Sequence, residues 1–298
     1  MPSHGALCRA ELWRGLPCWR VTLAQGDSLL VAEQGAQVLS WVSDGRERLF
    51  LSPGSAADGH TAIRGGVPIC WPQFNQRGTL PKHGFARNFP WQKGVFEPAE
   101  DRAELRLHLE ANAQTLGIWP HHFELTLVLR LQARRLRLVL EAHNPGDTAW
   151  AFTGALHSYL RVDDVGQARL FGLAGQAEWD SLSDTAGEGG AVISLDGPFD
   201  RIYAAADQAL CLVDGAHGLT VSQSASWANT VVWNPGGSLP DLPGEHHRHM
   251  LCVEAGQVLA ATTVAAGERW VGWQQFDVAT RGETIAPCWP NASSPAST

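Results

Sequence analysis

The chain has 298 residues, 44% of them hydrophobic and 17% charged, which supports a large buried core and excludes a disordered chain. Its 31 glycines and 17 prolines follow no fixed period, which excludes collagen-like and low-complexity classes. A net charge of -8 gives no global attraction for phosphate backbones or anionic lipid, so neither nucleic acid nor a membrane surface is expected as a partner.

The first residues, Met1-Pro2-Ser3-His4-Gly5, lack a basic start followed by an apolar stretch, and no run approaches the roughly 18 apolar residues of a membrane span. Short strands are expected at 18–24, 27–33 and 37–43. A segment rich in Gly, Pro and aromatics follows at 63–91. Alternation then becomes strict. Ala103, Leu105, Leu107 and Leu109 share one face, as do Phe123, Leu125, Leu127, Leu129 and Leu131, and then Leu136, Leu138 and Leu140. Period two marks strands with one face buried and one wet. Between the first two of these, 111–116 has room for one or two helical turns. Further strands are expected at 149–161, 208–213, 219–223, 229–233, 249–254 and 270–276, punctuated by turns such as Asn144-Pro145-Gly146-Asp147.

Many short strands without intervening helices predict an all-β antiparallel sandwich or barrel. No composition shift marks a linker, so 1–289 reads as a single domain and 290–298 as a frayed tail. The six cysteines form no C-x-x-C pair, and most lie among apolar residues, as buried thiols do. A reduced, cytoplasmic chain is expected.

Three segments carry chemistry. The 63–91 segment sets Arg64, Lys82, His83 and Arg87 among glycines and aromatics. Glycines beside an arginine let backbone N–H groups approach an anion, and aromatics suit the apolar face of a sugar. The same composition also suits a solvated loop. In Thr153–Leu160, alternation puts His157 on the face of Ala155 and Tyr159, opposite Leu156 and Leu160. If the leucines face the core, His157 faces a groove; otherwise it is a structural strand histidine. In His249–Gly256, Glu254 shares a face with Met250 and Cys252, opposite Leu251 and Val253. A carboxylate there, if desolvated, has its pKa raised toward a useful base; the alternative is a strand-end glutamate in solvent.

These stretches resemble the hexose-6-phosphate mutarotases, the glucose-6-phosphate 1-epimerase branch of the aldose 1-epimerase superfamily. The resemblance rests on Arg64-Gly65-Gly66-Val67-Pro68 with Trp71-Pro72, His83-Gly84-Phe85-Ala86-Arg87-Asn88 and Leu156-His157-Ser158-Tyr159. It continues through Asp200-Arg201-Ile202-Tyr203, Trp233-Asn234-Pro235 and Cys252-Val253-Glu254, all in that family's order. It implies a large β-sandwich of the galactose-mutarotase-like type, a concave sugar groove, a sugar phosphate as the small-molecule partner, and no metal or organic cofactor. His157 and Glu254 fall on the family's acid/base pair. Arg64, Arg87 and Asp200 fall on substrate-binding positions, and His83 is assigned as a substrate-binding hydrogen-bond partner of the ring oxygen or a hydroxyl. The position before His83, often glutamine in that family, is Lys82 here, either an added phosphate contact or a rim substitution. The chain is expected to act as a monomer.

Anomer exchange needs no redox step and no nucleophile. A base takes the C1 hydroxyl proton, an acid protonates the ring oxygen, the C1–C2 bond rotates and the ring recloses. Glu254 is assigned as base and a protonated His157 as acid. Three rival readings remain: a mutarotase of free aldoses, a carbohydrate-binding module using some of the 13 tryptophans, and a metalloenzyme built on Glu245-His246-His247-Arg248-His249. Two arginines argue against the first, paired Glu and His against the second. Against the third stands the preceding Pro240-Asp241-Leu242-Pro243-Gly244, which suggests a flexible, solvated loop.

Overall fold

A computed structural model describes residues 5–279, almost entirely as antiparallel strands in three sheets. Cys288 and the expected tail at 290–298 lie outside the described residues. The first sheet is a five-stranded meander of Leu7–Trp13, Leu16–Thr22, Ser28–Ala32, Val38–Ser43 and Arg46–Glu47. The second has nine strands. Its centre runs from His217–Gln223 through Arg269–Val278, Arg135–His143 and Glu124–Gln132 to Arg102–Glu110. The third has eight strands. Phe199–Tyr203, Asn229–Asn234, Met250–Val264 and Trp150–Leu156 are neighbours in that order, and Tyr159–Arg161 also pairs with Met250–Val264.

The alternation read from sequence is what joins the sheets. Leu105, Leu129 and Leu138 are register partners across three strands and are all buried. They meet Leu156, Val232, Leu251, Val253 and Ala255 of the third sheet in one core, which also takes in Val21, Val31 and Trp41 of the first. Strand alternation then forces Ala155, Glu254, Cys252 and Tyr159 onto the opposite, outer face of the third sheet. Apolar members of that face form two smaller clusters, one with Phe74, Ala155 and Val231 and another with Phe50, Tyr159 and Cys252.

Several expectations are corrected. Leu7–Trp13 and Gln92–Pro98 are strands, although their alternation is weak, because each lies at a sheet edge and packs on one side only. The expected strand 149–161 breaks at His157 and Ser158. The expected strand 249–254 continues as Met250–Val264, its distal half pairing with Trp150–Phe152. The helix is Ala113–Ile118, capped by the Asn112 side chain, which accepts from the N–H groups of Gln114 and Thr115. His246–His249 is not a flexible loop but a short 3-10 helix. It is docked by Val165 N–H donating to Arg248 O at 2.7 Å and by an Arg248–Asp164 ion pair at 2.7 Å. Among the described residues, its imidazoles do not converge with ligands spaced for a metal.

Candidate active site

A cleft of about 570 Å³ lies on the outer face of the third sheet, within the range of small-molecule sites. Every residue singled out from sequence lines it: Arg64, Lys82, His83, Arg87, His157, Asp200 and Glu254. They arrive from separate places. Glu254 stands on the central strand Met250–Val264, Asp200 on Phe199–Tyr203, and His157 in the break between two strands. The loop segments 64–68 and 82–87 complete the walls.

His157 is held by its own N–H donating to Pro68 O at 3.0 Å, and Tyr159 N–H donates to Gly66 O at 2.9 Å. The break in the strand is therefore filled by the 64–68 segment, which brings Arg64 beside Tyr159. Gly66 does not offer its N–H group to an anion as expected. Gly66 N–H donates to Phe50 O at 2.7 Å, and a Cβ on Gly66 would stand 2.1 Å from Val38 O. Gly66 is needed for close packing and for its φ of +61°.

At the floor, His157 Nδ1 lies 3.3 Å from Glu254 Oε1, with the two residues 6% and 1% exposed. Burial, and then Asp200, raises the Glu254 carboxyl well above the ordinary carboxylate range. Burial, then His83, Arg64 and Arg87, holds the His157 imidazole well below its ordinary value. Both directions favour a neutral carboxyl beside a neutral imidazole. The expected protonated His157 is therefore not the form that burial favours. Proton count is unaffected, since the neutral pair and the ion pair are tautomers sharing one proton.

The neighbours of the pair set its orientation. Tyr159 stacks on His157, rings 4.7 Å apart and 8° from parallel, and Trp233 meets His157 edge-on at 5.8 Å. His83 approaches His157 with ring centres 5.7 Å apart. His83 Nδ1 accepts from Asn75 N–H at 3.2 Å, so the neutral ring carries its proton on Nε2. Burial, followed by Arg87, Lys82 and Arg64, lowers the His83 pKa to about 3, so it serves as a neutral hydrogen-bond donor.

The cations differ in their freedom. Arg64 Nε donates to Asp241 Oδ2 at 3.0 Å, and an Arg64 terminal nitrogen donates to Tyr159 Oη at 2.9 Å. Arg87 donates one bond to Lys82 O at 3.0 Å, and its buried Nε has no partner. Lys82 is exposed at the rim. Arg77 also lines the cleft and acts on Asp200 through its charge. Sequence reading missed Arg77, which sits in a Gln-Arg-Gly turn without any periodic signal, and Asp241, which lay in a segment read only as loop. Tyr159 was recoverable, because alternation places it two positions from His157 on the same face. Asp200 is partly buried on its strand, where burial raises its pKa.

The aldose 1-epimerase family model matches residues 19–277. The chain belongs to the aldose 1-epimerase family. It is 34% identical over 254 residues to a protein of Cenchrus ciliaris, covering 80% of this chain and 77% of that one. It is 35% identical over 236 residues to one of Salmonella typhimurium, covering 75% and 77%. Both are named "Putative glucose-6-phosphate 1-epimerase". A crystal structure described as a "putative mutarotase (YeaD) from Salmonella typhimurium" superposes with a TM-score of 0.85 at 28% identity, covering 92% of this chain and 94% of that one. The all-β sandwich read from sequence is thus that of the mutarotases. Among the described residues no helix is long and apolar enough to cross a membrane.

Proposed function

We propose that this epimerase interconverts the α and β anomers of a hexose 6-phosphate, glucose 6-phosphate first among them, acting as a monomer and a single domain without a cofactor. The observation that carries the proposal is the His157–Glu254 pair at 3.3 Å, at the floor of a cleft that also holds Arg64, Arg77, Lys82 and Arg87. Ring opening removes one proton from the C1 hydroxyl and adds one to the ring oxygen. A pair that shares a single proton has the right stoichiometry for both transfers.

Substrate binding shifts the pair toward its ionised form. Sugar hydroxyls that donate to Glu254 stabilise its carboxylate. A phosphate dianion offsets the Arg64 and Arg87 charges that depress His157. Both effects move the shared proton onto the imidazole. Glu254 then takes the C1 proton and His157 protonates the ring oxygen; the roles exchange on closure. His83 donates from Nε2 to a sugar oxygen, Asp200 accepts from a hydroxyl, and Trp233 offers an apolar face.

A mutarotase of free aldoses would use the same pair but has no need of four cations. The deciding measurement is the anomerisation rate of freshly dissolved α-glucose 6-phosphate, with and without protein, beside the same assay on glucose and galactose. Faster turnover of free galactose than of any hexose 6-phosphate overturns the phosphate reading.

A further inference from the structure

Buried behind the cleft floor lies a third potential ligand that ring opening does not use. Cys252 precedes Glu254 by two positions on Met250–Val264, so both side chains lie on the cleft face of the sheet. A ligand atom from each of His157, Cys252 and Glu254 lies within 4.8 Å of the others, and all three residues are buried. A second observation is independent of that spacing. Glu254 Oε2, the carboxyl oxygen turned away from His157, is buried with no hydrogen-bond partner, although groups so placed are normally matched.

Thiolate, imidazole and carboxylate together form a zinc ligand set, and three protein ligands leave a fourth coordination position to be filled from solvent. The thiolate selects soft or borderline cations over magnesium and calcium. We propose that His157, Cys252 and Glu254 form an inhibitory site for a thiophilic divalent cation, zinc foremost, whose occupancy excludes the sugar. Zinc bonds of about 2.0–2.3 Å put tetrahedral ligands roughly 3.3–3.8 Å apart. The widest gap must therefore close by up to about 1.5 Å, a small rearrangement that suits an acquired inhibitor better than a resident cofactor. On binding, metal–sulfur, metal–nitrogen and metal–oxygen bonds form. The Cys252 thiol and the His157–Glu254 pair each release a proton to solvent, and no electrons change hands.

Cadmium, titrated into the protein without substrate, reads the site directly through thiolate-to-metal charge-transfer absorbance. About one equivalent is expected to saturate the band, and Cys252→Ala is expected to abolish it while leaving the other cysteines in place. Zinc is expected to stop mutarotation in the wild type, with recovery on adding a chelator. Cys252→Ala, which takes no part in proton transfer, keeps its basal rate and requires about tenfold more zinc or beyond, equivalent to about 1.4 kcal/mol of lost binding.

The inhibition arm rests on the proposed function; the cadmium arm does not. A cadmium band without any catalysed anomerisation leaves the metal site standing and removes the function. An absent band, or equal zinc sensitivity in Cys252→Ala, overturns the metal site alone. Should Cys252→Ala fail to fold, Cys252→Ser takes its place, and a cadmium band of undiminished strength in that variant places the metal elsewhere.

Discussion

Gln274 Oε1 accepts a hydrogen bond from Ser158 Oγ at 2.6 Å, joining the nine-stranded sheet to the strand break that carries His157. The same side chain donates from Nε2 to Val253 O at 2.9 Å, one residue before Glu254. Val253 N–H in turn donates to Ser158 O at 3.1 Å. One fully buried amide, reaching across the core, thus ties both halves of the acid/base pair together. Gln274→Leu leaves the Ser158 hydroxyl and the Val253 carbonyl unmatched, at about 1–3 kcal/mol of stability for such buried groups. It also frees the pair to drift, and misplacement near 1 Å can cost about a hundredfold in rate. The folded variant is expected to lose tenfold or more in kcat with little change in KM. A variant that loses stability but keeps wild-type kcat limits Gln274 to a structural role.

The acid/base pair itself is tested by Glu254→Gln and His157→Asn, each expected to lower kcat by about 10²-fold or more, the scale of a lost proton-transfer group. Full activity in either folded variant removes that residue from the mechanism.

The shifted pKa values make a separate statement about stability. Glu254 is raised on folding, so the unfolded chain ionises first as pH climbs past the ordinary carboxylate value of 4.5, and the folded state loses stability up to the folded pKa. His157 is lowered, so the folded state loses stability as pH falls below the ordinary imidazole value of 6.5. Glu254→Gln removes the first penalty and is expected to raise Tm, with a gain that grows as pH climbs above the ordinary carboxylate value, at about 2–4 °C per kcal/mol. Thermal melts across pH check it, and a gain that shrinks with rising pH contradicts the buried, raised carboxyl.

How far the molecule was legible in its sequence follows from which interactions are local. The alternation of Leu105, Leu107 and Leu109 reported a buried face directly, and the Leu156/His157 and Val253/Glu254 pairs gave the cleft face correctly. Strand Gln92–Pro98 was missed because an edge strand packs on one side only and tolerates Lys93, Gly94 and Pro98. The break at His157 was invisible because its cause, the 64–68 segment filling the ladder, lies about ninety positions away. The Arg64–Asp241 ion pair and the Gln274 bridge were hidden for the same reason. The separate carriers of each interaction have no common sequence period.

Metal independence can be checked without mutagenesis. Prolonged dialysis against a chelator is expected to leave mutarotation unchanged or slightly raised, because both proton transfers are assigned to side chains. Loss of activity that zinc or manganese restores makes a metal part of the catalytic apparatus, and the cluster at His157, Cys252 and Glu254 then becomes its first candidate.

The phosphate contacts provide the sharpest test, and the ion pairs rank them. Arg64 is already engaged by Asp241 and Tyr159, so a phosphate must share it with, or displace, an existing carboxylate. Arg87 spends one bond on a backbone carbonyl and has a buried, unpartnered Nε, so its guanidinium is the freer of the two. A charge-assisted hydrogen bond to phosphate contributes about 1.5–3 kcal/mol, or roughly ten- to a hundredfold in KM when ground and transition states are held alike. Arg87→Ala is therefore expected to raise KM for glucose 6-phosphate by that factor and barely to alter the slower turnover of free glucose. Arg64→Ala is expected to raise KM as well, but also to lower kcat, because it releases Tyr159 from one side of the His157 ring. Lys82→Gln is expected to cost less than either, its exposed ammonium being a flexible point charge. Charge then links binding to chemistry. Arg87 is one of the cations that depress His157, so removing it raises the His157 pKa and moves the acid limb of the pH profile to higher pH. In the wild type, a free phosphate ion in the cleft offsets the same cations, and inorganic phosphate is expected to speed the turnover of free glucose in a manner that Arg87→Ala weakens. Inhibition or indifference toward phosphate, together with unchanged KM values in both arginine variants, would place the phosphate outside this cleft and leave a free-aldose mutarotase.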